Sequence, residues 1–161
     1  MTEKAPITGP LGDAERDITG KALQSTLLEL VDLHLAAKQA HWNVVGGNFR
    51  DVHRHLDDLV TNARDFADSV AERAATIGVS PDARATTVAE GSGVPGLDKG
   101  WKNDREVIRF VVEALGKLIQ RLRSRIDETD KTDQVSQDLL LSVSAKLEEA
   151  HWMWQAKIAE V

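Results

Sequence analysis

Apolar residues recur at spacings of three and four along two long stretches of this chain, and the stretches are separated by the step Gly46-Gly47. On the first, Leu23, Leu27, Leu30, His34, Ala37, His41 and Val44 form one stripe, and Leu28, Val31 and Leu35 form a second apolar face. That period is helical, and two apolar faces predict a helix buried on two sides. On the second, Val52, Leu59, Ala63, Phe66, Val70 and Ile77 continue the pattern until Gly78 and Pro81 stop it. So short a connection makes the two helices antiparallel neighbours. The first is expected from a start between Asp13 and Thr19 to about Val45, the second from Phe49 to Ile77 with Asn48 as N-cap. His41 lies six residues before Gly47 and His53 six after it, so both sit at similar height near the turn.

Residues 78–100 are rich in Gly, Pro, Ser and Asp. They are too many for a hairpin loop and suit a crossover along a bundle, with one short helix expected around Arg84–Ala89. A third helix is expected from Trp101 or Asp104 to Ile126, opened by Asn103 and Glu106 at capping-box spacing. Its stripe is Val107, Val111, Ala114, Leu118, Leu122 and Ile126. An acidic turn, Asp127–Asp133, leads to a fourth helix from Gln134 to Ala159 with Leu139, Val143, Leu147, Ala150 and Trp154 inward. Residues 1–14 carry Pro6, Gly9, Pro10 and Gly12 without periodicity and read as a flexible N-terminal tail. Residues 15–161 then make one domain, long enough for a sizeable core. Two helical hairpins joined by one long crossover is an all-α, ferritin-like four-helix bundle.

The second helix carries the residues with chemistry. His53 and Asp57 are four apart, as are Asp68 and Glu72, so each pair projects from one helix face and could share a metal. All four fall within an arc of about 100°, roughly opposite the apolar stripe, and so point away from their own core. Asp57 and Asp68 are separated by about 16 Å along the axis, too far for one ion. A second copy of the helix, antiparallel across a two-fold axis, would set each His/Asp pair opposite an Asp/Glu pair. Cysteine is absent, so every ligand is nitrogen or oxygen, which suits iron, manganese or zinc. The ordinary reading of such pairs is a solvated helix face. The two-fold register, together with the resemblance given below, favours a metal. His41 lies on the apolar stripe, where spacing alone leaves it balanced between a core histidine and a ligand.

The string Lys38-Gln39-Ala40-His41-Trp42-Asn43, with Gly46, Phe49, Val52-His53, Asp57 and Asp68-Ser69-Val70-Ala71-Glu72-Arg73, resembles the Dps family. These are the mini-ferritins, named as DNA-binding proteins from starved cells. The likeness covers nearly the whole chain, including Val135-Ser136-Gln137-Asp138-Leu139-Leu140 and the Trp-bearing last helix. It implies a homo-oligomer, a hollow dodecamer built on two-fold dimers. It also implies ferroxidase activity at the dimer interface, with His41, His53 and Asp57 from one subunit and Asp68 and Glu72 from its mate. Fe2+ is oxidised there, by hydrogen peroxide in preference to O2, and ferric oxide is stored inside. Iron is the only cofactor implied, with no organic one. Trp42 would lie close to the iron.

The resemblance also implies acidic residues around a three-fold pore that admits iron. Asp127, Asp130, Asp133 and Asp138 are the candidates, against the plainer reading of a solvated turn. Glu148 and His151 make an ExxH, half of a di-iron signature. The second helix has no matching ExxH, so an intrasubunit di-iron centre is not expected, and His34 and His55 read as structural. DNA binding is the alternative function. Basic tails usually carry it, whereas Lys4 and Arg16 here face Glu3, Asp13 and Glu15, and no basic extension precedes Val161. The formal charge of -6 favours cations over nucleic acid. No apolar run approaches about 18 residues and no leader signal opens the chain. A cytoplasmic protein is expected, nucleoid-associated if it binds DNA, with no membrane partner.

Overall fold

In the computed structural model, which describes residues 6–160, the chain runs α1 (Asp13–Asn43), β1 (Val44–Val45), α2 (Phe49–Thr76), α3 (Ala85–Gly91), β2 (Lys102–Asn103), α4 (Asp104–Thr129) and α5 (Gln134–Ala156). What the sequence suggests for residues 1–5 and for Val161 lies outside the described residues. The bundle is ferritin-like: α1 packs on α2, α4 on α5, and α1 also meets α4. The two-residue strands pair in parallel, Val44 with Lys102 and Val45 with Asn103. This bridge lies where α1 ends and α4 begins, so the crossover must return from the far end of α2 to the turn of the first hairpin. The short helix α3 lies within it.

Leu23, Leu30, Leu33, Leu56, Val70, Leu115, Leu118, Leu122, Leu140, Leu147 and Trp154 are fully buried and form the centre of the core. Each buried Leu contributes about 1.5–3 kcal/mol. The inward row of α5 begins on Leu140, not Leu139, which is half-buried at its edge. Three adjacent leucines, Leu139, Leu140 and Leu141, leave the phase open until packing selects one. The second face of α1 is also shorter than expected. Gly91 of α3 closes over Leu28. Leu35, two turns on, has no such cover and stays exposed.

Helix ends differ from expectation for local reasons. α1 stops at Asn43 because Val44 and Val45, both β-branched, extend into the bridge. Asn48 occupies the N-cap position of α2, but its side chain caps nothing. Instead its N–H donates to Asp104 Oδ2 at 2.7 Å. Asn103 does cap α4, accepting from Arg105 N–H at 3.0 Å, while Glu106 turns to Lys102 at 3.2 Å rather than closing a capping box. α4 continues through the first residues of the expected acidic turn to buried Thr129, and α5 ends at Ala156 rather than Ala159. Ahead of α1, Leu11 packs against the core, and a Cβ on Gly9 would lie 2.7 Å from the Ile77 backbone. The described part of the expected tail therefore runs along the end of α2.

Two buried carboxylates tie the hairpins together. Glu29 on α1 pairs with Arg121 and, at 2.6 Å, with Arg125, both on α4. Asp133 caps α5, accepting from Val135 N–H at 3.3 Å and Ser136 N–H at 3.2 Å, and pairs with Arg73 of α2 at 2.7 Å. Burial pushes the Asp133 carboxyl up, but the Arg73 and Ser136 hydrogen bonds outweigh it and hold it below its ordinary value. A depressed carboxylate stabilises the fold fully above its unfolded value of about 3.9, and that contribution vanishes as pH falls through the lower folded value. Asp133→Asn should therefore cost about 1–3 kcal/mol in chemical denaturation at neutral pH. The difference from wild type should shrink at about pH 3; an equal difference at both would contradict the assignment.

Candidate metal centre

The tight α1–α2 turn brings His41 and His53 together. Their rings stack with centroids 3.6 Å apart and planes 20° from parallel. His41 Nδ1 lies 2.8 Å from the His53 carbonyl, and His53 Nδ1 lies 2.9 Å from the His41 carbonyl. A carbonyl only accepts, so each Nδ1 carries a proton, and the neutral form of either ring has its lone pair at Nε2. This tautomer leaves Nε2 available to a metal, and a main-chain carbonyl is a common device for fixing it. Phe49, tilted against His53 at 5.0 Å, holds the outer side of the stack. His41 is 7% exposed, which explains its place on an apolar stripe: it is buried against α2 and its ring still belongs to the pair.

Asp57 completes this group. Its Oδ1 lies 3.3 Å from His41 Nδ1 and accepts from Lys38 Nζ at 2.6 Å. The Lys38 hydrogen bond is the main reason the Asp57 carboxyl sits below its usual range. Lys38 is absent from the ligand set read from the sequence. The hairpin register that matches His41 to His53 also sets Lys38 level with Asp57, which is the signal that could have found it.

Asp68 and Glu72 are exposed on the same face of α2, toward its other end. Asp68 borders a groove lined by Leu27, Val31, His34, Arg64, Ala67 and Ala71, and none of the first group's residues reaches it. Among the described residues, no three His, Asp or Glu side chains gather closely enough to hold a metal ion. One protomer thus carries two separate half-sets, one with imidazole nitrogens and one carboxylate, the other with two carboxylates.

The remaining candidates fall elsewhere. Trp42 is exposed beside His41. His34 Nδ1 donates to the Val31 carbonyl, and burial, then Arg64, holds its imidazole below the ordinary value. His55 stacks flat on Trp154 with centroids 4.3 Å apart, and burial lowers its imidazole as well. Glu148 is held bidentately by Arg123 at 2.8 and 2.9 Å and by Ser144 at 2.9 Å, with Arg123 the main cause of its lowered carboxyl. His151 packs over Gly116, so this ExxH is occupied by protein contacts. Asp127, Asp130 and Asp138 are exposed, while Asp133 is turned inward to Arg73.

Residues 20–161 match the family described as Ferritin-like domain. The chain is 38% identical over 136 residues to DNA protection during starvation protein 2 of Deinococcus radiodurans, covering 84% of this chain and 56% of that protein. It therefore spans little more than half the length of that relative. It is 35% identical over 158 residues to the DNA protection during starvation protein of Mycolicibacterium smegmatis, covering 92% of this chain and 81% of the relative. Among solved structures, Dps from Microbacterium arborescens in the high iron form is similar with a TM-score of 0.89 and 29% identity, covering 96% of this chain and 99% of that one.

The Lys38–Asp57 pair yields a direct test. An ammonium on a carboxylate competes with any cation that needs the same oxygens. Lys38→Met should raise the affinity of the metal-free protein for Co2+ by about three- to tenfold, the half-exposed pair being screened by solvent. Titration calorimetry checks it, and unchanged or weaker binding would contradict the competition.

Proposed function

Because the chain belongs to the Dps family of ferritin-like proteins, we propose that it oxidises Fe2+ at centres shared between two-fold-related subunits and stores the ferric product inside a dodecameric shell. The observation that carries this reading is the pair of half-sets. His41 on α1, with His53 and Asp57 on α2, offers two imidazoles and a carboxylate, and Asp68 and Glu72 offer two more carboxylates further along the exposed face of α2. Neither half suffices alone, and an antiparallel copy of α2 would join them.

The donor set fits the substrate. Neutral imidazole and carboxylate oxygen both suit Fe2+, and the anionic oxygens favour the higher charge of Fe3+. Hydrogen peroxide is the oxidant this reading prefers over O2. It takes one electron from each of two ferrous ions and leaves two ferric ions and two hydroxide ions, so no hydroxyl radical is released. His41 and His53 would hold iron through Nε2 while their Nδ1 protons remain on main-chain carbonyls. Lys38 would leave Asp57 as the cation arrives. Trp42, exposed and next to His41 in sequence, would be open to oxidation when peroxide is in excess.

Iron would reach the interior through an acidic three-fold pore. Asp127, Asp130 and Asp138 support this by their exposure, and Asp133, paired with Arg73, is withdrawn from the proposal. A ring of even one aspartate per subunit attracts cations at an axis. Among the described residues no helix is long and apolar enough to cross a membrane. We assign the protein to the cytoplasm as part of this reading. DNA binding, the alternative, gains no support from a formal charge of -6.

Anaerobic Fe2+ loading followed by a peroxide pulse tests the proposal. Wild type should oxidise iron rapidly, and Asp68→Ala/Glu72→Ala should slow it at least about tenfold in an intact oligomer. Equal rates would mean that these pairs are only polar surface.

A further inference from the structure

The histidine pair is held from the second hairpin as well as from its own. Asp104, the first residue of α4, is 4% exposed. Its Oδ2 accepts the Asn48 N–H at 2.7 Å and its Oδ1 accepts the Arg105 N–H at 2.8 Å. One buried carboxylate thus joins the start of α2 to the start of α4. It also closes on the turn itself. A Cβ on Gly46 would lie 2.7 Å from the Asp104 carboxyl carbon, and Gly46 has φ of 134°, so the turn accepts this close approach only as glycine. The β1–β2 bridge runs alongside, fixing Val44 and Val45 against Lys102 and Asn103.

These contacts bracket the histidines. Val44 is three residues beyond His41, under one turn, and Asn48 is five residues before His53. The reciprocal imidazole–carbonyl bonds at 2.8 and 2.9 Å need α1 and α2 in one axial register. A slip of one residue, about 1.5 Å, would break both. The register is set where the helices join, and there, among the described residues, the only carboxylate buried against the turn is Asp104. We infer that Asp104 is a positioning residue for the metal centre: by clamping Gly46 and Asn48 it fixes the His41–His53 stack and keeps each Nδ1 on its carbonyl, leaving the Nε2 atoms as the ligating positions. It touches no metal itself. This inference rests on the reading of His41 and His53 as metal ligands.

The test uses the assembled, metal-free protein and Co2+, with visible absorbance and calorimetry as readouts. Asp104→Ala should weaken Co2+ binding at least about tenfold, in the range expected for residues that orient ligands. Asp104→Asn retains an oxygen for the Asn48 N–H and should recover part of the loss. Leu147→Ala, which opens the core in the middle of α5, should bind Co2+ as wild type does even where it lowers the melting temperature as far. Wild-type affinity in Asp104→Ala, or equal weakening in Leu147→Ala, would overturn the inference. Should Asp104→Ala fail to assemble, Gly46→Ala takes its place, because its methyl group pushes the carboxylate off the turn. It should weaken Co2+ comparably, and unchanged binding there would overturn the inference too. His53→Ala separates the two claims. If it binds Co2+ as wild type does, the metal reading falls and this role falls with it. If only the Asp104 and Gly46 variants bind normally, the metal reading stands and Asp104 is simply a tie between the starts of α2 and α4.

Discussion

Two histidines that each hand an Nδ1 proton to the other's main-chain carbonyl are the interaction on which the account depends. The bonds require one register of α1 against α2, and they fix the stacking of the rings and the tautomer at once. Without them, the same residues would be two imidazoles on neighbouring helices, free to present either nitrogen. With them, Nε2 is the nitrogen left open on each ring, and in the proposed reading the apolar ladder from Leu23 to Ile77 is the scaffold of a site. The outward direction has its own cause. Carboxylates such as Asp57, Asp68 and Glu72 turned into the core would lose hydration without a partner, which costs far more than any packing gain. The core takes carboxylates only with full compensation, as at Glu29 with its two arginines and at Asp133 with Arg73 and the start of α5.

That division separates structural charge from charge available for chemistry. Glu148 and Asp133 resemble site residues by type, yet each is already saturated by an arginine and a serine. Asp68 and Glu72 have no such partner within the protomer among the described residues. Asp57 is the intermediate case, paired with a lysine that a cation can displace. A single protomer therefore presents two separate groups of donors, which in the proposed reading a two-fold arrangement would join.

Much of this was legible in the sequence, and for identifiable reasons. The 3.6-residue period of Leu23 to Val44 and of Val107 to Ile126 is local, so the long helices could be read directly. The spacing of His53, Asp57, Asp68 and Glu72 is also local to one helix, and it alone pointed to a site completed by a second copy. What could not be read depends on residues distant in the chain. Arg73 meets Asp133 across 60 positions, and Glu29 meets Arg125 across 96. Nothing in an acidic turn marks one of its aspartates as buried. The Val44–Lys102 bridge and the Asp104 clamp arise only once the crossover has brought the second hairpin to the first. Lys38 lies between these cases: the hairpin register places it beside Asp57, but a search confined to ligand types passes over it.

The central claim, that each centre is divided between two subunits, can be tested by mixing. Subunits carrying His41→Ala/His53→Ala and subunits carrying Asp68→Ala/Glu72→Ala should each assemble inactive. Co-assembled at random in equal amounts, half the dimers are mixed, and each mixed dimer regains one intact centre of its two. Peroxide-driven Fe2+ oxidation should then return to about a quarter of the wild-type rate. No recovery in co-assembled shells would show that the two half-sets do not meet across the interface, and would contradict the account.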